Sequence, residues 1–341
     1  MTIVYAIIVF LLLIFVHELG HLISAKLNGI RVNEFALGMG PRLFGFTKGE
    51  TKYSFRAIPF GGYCLMEGED EESDDPRAFG NKPARVRALV LLSGSLMNVL
   101  MAVIILSLLI FSQGIPTRTL SDVGQETPVY AAGLRAGDEL VAINGVSLDG
   151  WDDLSPLLSA IAQEDPEASL SVTFLRNGAE RTIETHFYTD ENGSYKLGVS
   201  PTFEKTPAFF FKSFGYGARA TVNMSVMMYE VLGDLVTGRA GTDQLTGPVG
   251  IVVIVGDMAR HGFFYLAQLT ALISLNLGII NLLPFPALDG GRLIFLVIRK
   301  VTGKAITDKI EGRVHLIGIL VLFAFMALIT MQDIGRFFLN G

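Results

Sequence analysis

Four long apolar stretches constrain this 341-residue chain more than any other feature. Residues 3–16 are continuously apolar, and the stretch runs on through His17, Glu18 and His21 to Ala25 before the first basic residue, Lys26. Ala88 to Phe111 carries no charge over 24 residues, Phe263 to Leu283 none over 21, and Val314 to Met331 none over 18. A hydrocarbon core of ~30 Å needs about 20 apolar residues as a helix, so each stretch predicts a spanning helix. One stretch could be a buried helix of a large soluble core, but four in one chain argue for a membrane.

The first stretch has no basic residue before it and no small-residue cleavage site after it, so it reads as retained rather than as a signal peptide. Basic residues cluster in two connections, from Lys26 to Arg87 and from Arg299 to Arg313. The positive-inside rule places both in the cytoplasm. Both chain ends are then expected outside, as is the segment from about 113 to 262. Formal net charge is -6 with no long basic run, which argues against a nucleic-acid partner. The single cysteine, Cys64, excludes an internal disulfide framework.

Between the first two spans, Ile58-Pro59-Phe60-Gly61-Gly62-Tyr63 is flanked by alternating residues and reads as short strands around a glycine turn. The acidic run from Glu67 to Asp75 reads as a solvated loop. Residues 121–203 show strands broken by turn residues, with Asn144-Gly145 and Asn177-Gly178 as hairpin signals and a helical stretch from Trp151 to Ala162. This is enough chain for one small domain. Pro207 to Leu235 mixes aromatics and methionines with Lys212, Arg219 and Glu230, the pattern of an amphipathic helix lying on the membrane or packed on the spanning bundle. Four segments result: 1–112 with the first two spans, 113–204 as the soluble insert, 205–262 as the amphipathic segment and 263–341 with the last two spans.

His17-Glu18-Leu19-Gly20-His21 is an HExxH pattern. Residues four apart share a helix face, so both imidazoles can address one cation, and zinc accepts neutral imidazole readily. Glu18 lies about 100° round the helix from His17 and is expected to act as general base, taking a proton from the attacking water. HExxH occurs by chance in soluble chains, but ionisable groups inside a span are costly and default to function. A catalytic zinc usually has three protein ligands. His186 falls in the insert, His261 outside the third span and His315 at the cytoplasmic start of the fourth, none at a matching depth. Asp289 lies just past Pro284 and Pro286, which end the third helix, and irregular backbone at membrane depth survives only when buried in protein or lining a polar cavity. His17, His21 and Asp289 all fall toward cytoplasmic helix ends, so they are expected to meet.

These residues resemble the site-2 proteases, the intramembrane zinc metalloproteases, and most closely the bacterial branch that cleaves anti-sigma factors and remnant signal peptides. HELGH at 17–21 is paired with Asn281-Leu282-Leu283-Pro284-Phe285-Pro286-Ala287-Leu288-Asp289-Gly290. Further matches are Phe35 to Pro41, Pro59 to Tyr63, Asp75 to Phe79 and Gly247 to Gly250. The resemblance implies Zn2+ held by His17, His21 and Asp289, Glu18 as base, and Asn281 engaging substrate backbone. It implies that Phe60, Gly61 and Gly62 belong to a membrane-associated β-loop on the cytoplasmic side that pairs with an unwound substrate strand. Ala131 to Leu140 and Ile143-Asn144-Gly145 give the insert a likeness to a PDZ domain, with Leu197-Gly198-Val199 as its peptide-binding loop and a size-filter role.

The expected fold is therefore a multi-pass α-helical membrane protein with four transmembrane helices, a membrane-associated β-loop and one inserted α+β PDZ domain. The expected setting is a bacterial cell membrane, with both termini and the PDZ domain outside and the active site near the cytoplasmic side. The expected partners are the lipid bilayer and transmembrane substrates, anti-sigma factors or signal-peptide remnants, already trimmed outside. A membrane-anchored PDZ adaptor with an inactive metal site is the alternative, but a scaffold needs none of the two His, one Glu and one Asp. A secondary transporter with broken helices would show internal repeats, and none are present.

Overall fold

The computed structural model describes residues 2–69, 73–189, 195–204, 209–239, 241, 246–302 and 308–336. The chain divides into two compact units, one formed by Met1–Leu109 with Phe214–Gly341 and the other by Ile110–Ser213.

The first unit opens with α1 (Thr2–Leu27), followed by strands β1 (Val32–Lys48) and β2 (Thr51–Met66) and by α2 (Ala84–Gln113). The turn between the strands lies at residues 49–50, so Gly61 and Gly62 sit inside β2 and not at the turn the sequence suggests. Glycine inside a strand marks a bulge or a close approach of other backbone. Both apply: Gly61 has φ 79°, and a Cβ on Gly62 would meet Ile14 Cγ2 at 2.8 Å and Ala36 O at 2.9 Å. The hairpin is bent, so residues 34–37 pair with 52–55 on one side and with 62–65 on the other. Residues 62–65 thereby become an outer strand beside α1.

The second unit contains β3 (Ile115–Val123), α3 (Pro128–Ala131), β4 (Glu139–Ile143), β5 (Val146–Ser147), α4 (Leu154–Glu164), β6 (Leu170–Arg176), β7 (Ala179–Thr185), β8 (Tyr188–Thr189), β9 (Tyr195–Lys196) and β10 (Val199–Glu204). Its main sheet runs β10-β3-β4-β6-β7. Asn144-Gly145 and Asn177-Gly178 have positive φ at both residues, as two-residue hairpin turns of the right twist require. A core of Leu120, Leu134, Leu140, Ile143, Leu170, Phe174 and their neighbours holds the unit together. Asp138 is buried there against Arg176 at 2.6 Å and accepts the Arg135 N–H at 2.8 Å.

The first unit resumes with α5 (Phe209–Thr237), α6 (Pro248–His261), α7 (Phe263–Asn281), α8 (Asp289–Thr302) and α9 (Asp308–Ile334). Among the described residues, four helices are long and apolar enough to cross a membrane: α1, α2, α7 and α9. Of the two settings open to the amphipathic segment, α5 takes the packed one. Its Ala220, Met224, Met228 and Leu232 lie on the apolar cluster that α2 and α7 form through Ala102, Leu106, Ala271 and Leu275. The acidic run is not simply solvated. Glu67 accepts from Asn33 at 2.8 Å and Ser73 at 2.6 Å, Asp75 faces Arg31 at 3.5 Å, and Glu69 pairs with Arg292 of α8.

Candidate metal centre

Two helices bring three donor atoms together. His17 and His21 are buried one turn apart on α1, and Asp289 is the first residue of α8. The Nε2 atoms of the two histidines are 3.3 Å apart, and each faces Asp289 Oδ2, at 3.3 Å from His17 and 3.4 Å from His21. Ligands about 2.0–2.1 Å from a cation at tetrahedral angles are about 3.3–3.4 Å from one another. The triangle therefore has the size of one face of a zinc tetrahedron. Asp289 Oδ2 is also buried and accepts no well-formed hydrogen bond among the described residues. Such an oxygen is costly unless a cation faces it. Two imidazoles and a carboxylate form a zinc-type donor set, and among the described residues they are the group of His, Cys, Asp and Glu that could hold a metal.

The helix α2 fits around this triangle. His21 Nδ1 lies 2.9 Å from the Val90 carbonyl, so Nδ1 carries the proton and the Nε2 lone pair points at the metal position. Asn98, fully buried, lies with its amide 3.3 Å from His17 Nδ1, while its Oδ1 has no partner among the described residues. Turned by half a rotation, that amide accepts from His17 Nδ1–H and sets the same tautomer. Gly94 is where the two rings approach α2: a Cβ there would sit 2.3 Å from His21 Nε2 and 2.8 Å from His17 Cε1. None of Val90, Gly94 and Asn98 stands out in the sequence reading. The available signal was an Asn with small residues inside a charge-free span, a pattern typical of close helix contacts and functional polar groups in membranes.

Asp289 is set by the broken backbone before it. The helix α7 ends at Asn281, and Pro284 and Pro286 prevent its continuation. The carbonyls of Leu282, Leu283 and Phe285 then fold back over the start of α8. A Cβ on Gly290 would meet Leu283 O at 2.2 Å, and one on Gly291 would meet Phe285 O at 2.3 Å. Ala287 is held at φ 83°, a conformation costing an L residue ~1–2 kcal/mol. The first turn of α8 presents positive dipole to the Asp289 carboxylate, which favours its ionised form.

Glu18 points to the neighbouring sector of α1. The Cys64 N–H bonds to its carboxylate, and a Cβ on Gly62 would lie 3.3 Å from Glu18 Cγ. The outer strand at 62–65 thus runs beside the carboxylate. Phe60 lies in β2, but its side chain is outside the described residues. Asn281 is the last residue of α7 and is half-buried.

Known proteins resemble this chain over nearly its whole length. The model of peptidase family M50 matches residues 5–325. A Clostridium acetobutylicum protein provisionally named a zinc metalloprotease is 38% identical over 334 residues, covering 98% of this chain and 97% of that protein. The regulator of sigma-W protease RasP of Bacillus subtilis is 32% identical over 423 residues, covering 99% of each. That alignment is longer than this chain, so the Bacillus protein carries residues that this one lacks. Among solved structures, the PDZ domain of an SdrC-like protein from Listeria monocytogenes aligns at 15% identity and TM-score 0.22, covering 26% of this chain and 88% of that domain. The family match spans both histidines and Asp289, and the relatives align almost from end to end. The chain belongs to peptidase family M50, the site-2 proteases.

Proposed function

We propose that this chain is an intramembrane zinc endopeptidase in which His17, His21 and Asp289 hold the metal and Glu18 is the general base. The observation that carries the reading is the triangle of donor atoms, which has tetrahedral zinc dimensions and a carboxylate oxygen otherwise left without a partner. Zinc, when bound, polarises the scissile carbonyl and lowers the pKa of the attacking water. Glu18 takes the proton from that water and later delivers it to the leaving amine.

A substrate helix hides its carbonyls in its own hydrogen bonds, so it must unwind before hydrolysis. The outer strand at residues 62–65 offers a backbone edge next to Glu18 that can replace those bonds. Gly61 and Gly62 keep the approach to that edge low, and Asn281, where α7 breaks, is assigned to the substrate backbone. On the distribution of basic residues, both termini and the Ile110–Ser213 unit are assigned to the outside and the metal to the cytoplasmic side. The second unit is read as a PDZ domain on its AGLRAGD segment and its sheet with a β10 edge preceded by Leu197-Gly198. The name of the Bacillus relative points to a sigma-factor pathway, so the proposed substrates are membrane-anchored anti-sigma factors or signal-peptide remnants shortened beforehand by another protease. Glu18→Gln is the test. It should retain about one zinc per chain and lose cleavage of a model transmembrane substrate by about 10²–10⁴-fold. Cleavage at the wild-type rate would remove Glu18 as the base.

A further inference from the structure

We infer that His315 on α9 is a positioning residue for the metal centre, holding the loop that delivers Asp289. This rests on the reading of Asp289 as a zinc ligand. Two residues before Asp289, Ala287 is fixed at φ 83°. The other positive-φ non-glycines among the described residues are Asn144 and Asn177, both in hairpin turns where that conformation is ordinary. Ala287 is an L residue between a proline and a leucine, so its conformation must be imposed from outside the loop. Its backbone N–H also needs an acceptor. That acceptor is His315 Nδ1, at 2.9 Å.

The contact belongs to a continuous stripe. Glu311, His315 and Gly318 lie at i, i+4 and i+7 on α9, one face of a helix. Glu311 pairs with Arg299 of α8 at 2.6 Å. Gly318 lets α9 close onto the loop, because a Cβ there would sit 2.5 Å from Pro286 Cβ and 2.6 Å from Pro286 O. The His315 ring packs beside Phe295 of α8, with centroids 5.9 Å apart. The fourth span therefore grips both the proline loop and α8, on either side of Asp289. Its histidine does not ligate. It accepts one backbone N–H and so fixes the turn from which the ligand emerges.

The test uses the full chain in detergent, stripped of metal and titrated with Zn2+ against a chromophoric chelator. His315→Leu removes the acceptor and should weaken zinc binding about 10–100-fold, the range seen when a group orienting a ligand is lost. His315→Asn places an amide oxygen where Nδ1 was and should bind zinc within about threefold of wild type, the acceptor being kept. A residue that merely filled space would leave both variants at wild-type affinity, and that result overturns the inference. Equal weakening in both overturns it as well, since the acceptor would then not matter. Should His315→Leu fail to fold, Gly318→Ala decides: it pushes Pro286 from the same face, and wild-type zinc affinity there is an overturning result. Asp289→Ala, measured alongside, separates the two levels. If it binds zinc as wild type, the ligand assignment itself has failed; if it is weakened while His315→Leu is not, only the role of His315 has.

Discussion

Replacing Gly94 by Ala should empty the metal site while leaving the helices in place. The added Cβ would lie 2.3 Å from His21 Nε2 and 2.8 Å from His17 Cε1. Non-bonded heavy atoms settle at about 3.5 Å, so the His21 ring must retreat by about 1 Å. The donor atoms are 3.3–3.4 Å apart, which leaves no slack for such a shift. Zinc–nitrogen bonds of about 2.0–2.1 Å tolerate about ±0.2 Å, so a 1 Å retreat breaks one of three protein bonds. Loss of an orienting partner alone weakens zinc about 10–100-fold, and loss of a ligand should exceed the upper end of that range. The local helix effect has the opposite sign, because Ala is better than Gly inside a helix by about 0.8–1.0 kcal/mol. A fall in zinc content therefore cannot be assigned to melting of α2. The assay is metal content per chain after dialysis against a weak chelator, with circular dichroism as the check on helicity. A Gly94→Ala protein that retains one zinc at wild-type affinity would refute the close approach of α2 to the two rings.

Other outcomes follow from the same geometry. Asn98→Leu removes the group that orients His17 and should weaken zinc about 10–100-fold, with Asn98→Asp less affected because a carboxylate still accepts from Nδ1–H; competition titration ranks the two. Gly62→Val crowds Ile14 and Ala36 O and lifts the outer strand from Glu18, so kcat/KM for a transmembrane substrate should fall while zinc content stays at the wild-type level. In the second unit, burial alone would raise the Asp138 carboxyl, but the Arg176 guanidinium and the Arg135 N–H outweigh it and hold the group below the usual carboxylate range. Its contribution to stability is complete above about pH 4 and drains away as pH falls through the lower folded value. Asp138→Asn should cost about 2–3 kcal/mol at pH 7 and flatten the acid limb of the Ile110–Ser213 unit, read by hydrogen exchange across pH 2–7.

The sequence by itself determined the parts of this protein that depend on local period and composition. The four apolar stretches form helices long and apolar enough to cross a membrane, and a helix satisfies its own backbone in lipid. The i, i+4 spacing of His17 and His21 put two imidazoles on one face before any packing was known. The Asn-Gly pairs fixed two hairpin turns, and the prolines at 284 and 286 fixed the end of α7. Asp289 was legible as a partner because the charge distribution predicts for it the same depth as for the two histidines, and its carboxylate does lie 3.3 Å from His17 and 3.4 Å from His21.

Tertiary structure decided everything that depends on which helix comes closest. Whether the amphipathic α5 lies free or packs was open in its sequence, since its apolar face suits either lipid or protein; Ala102 and Leu275 settle it by contact. Gly61-Gly62 resembles a turn locally, and only the approach of α1 and the bend of the hairpin make it a bulge in an outer strand. Gly94 and Asn98 look like filler in an apolar run until His17 and His21 meet them. His315 was set aside for lying away from the site, and its bond reaches the ligand loop through a backbone N–H, a partner every residue but proline has and no side-chain pattern announces. A helix fixes the relation of residues three or four apart, but distances between helices are set by the side chains left out at their crossings. That is why the glycines in this centre could be assigned a role only from the folded chain.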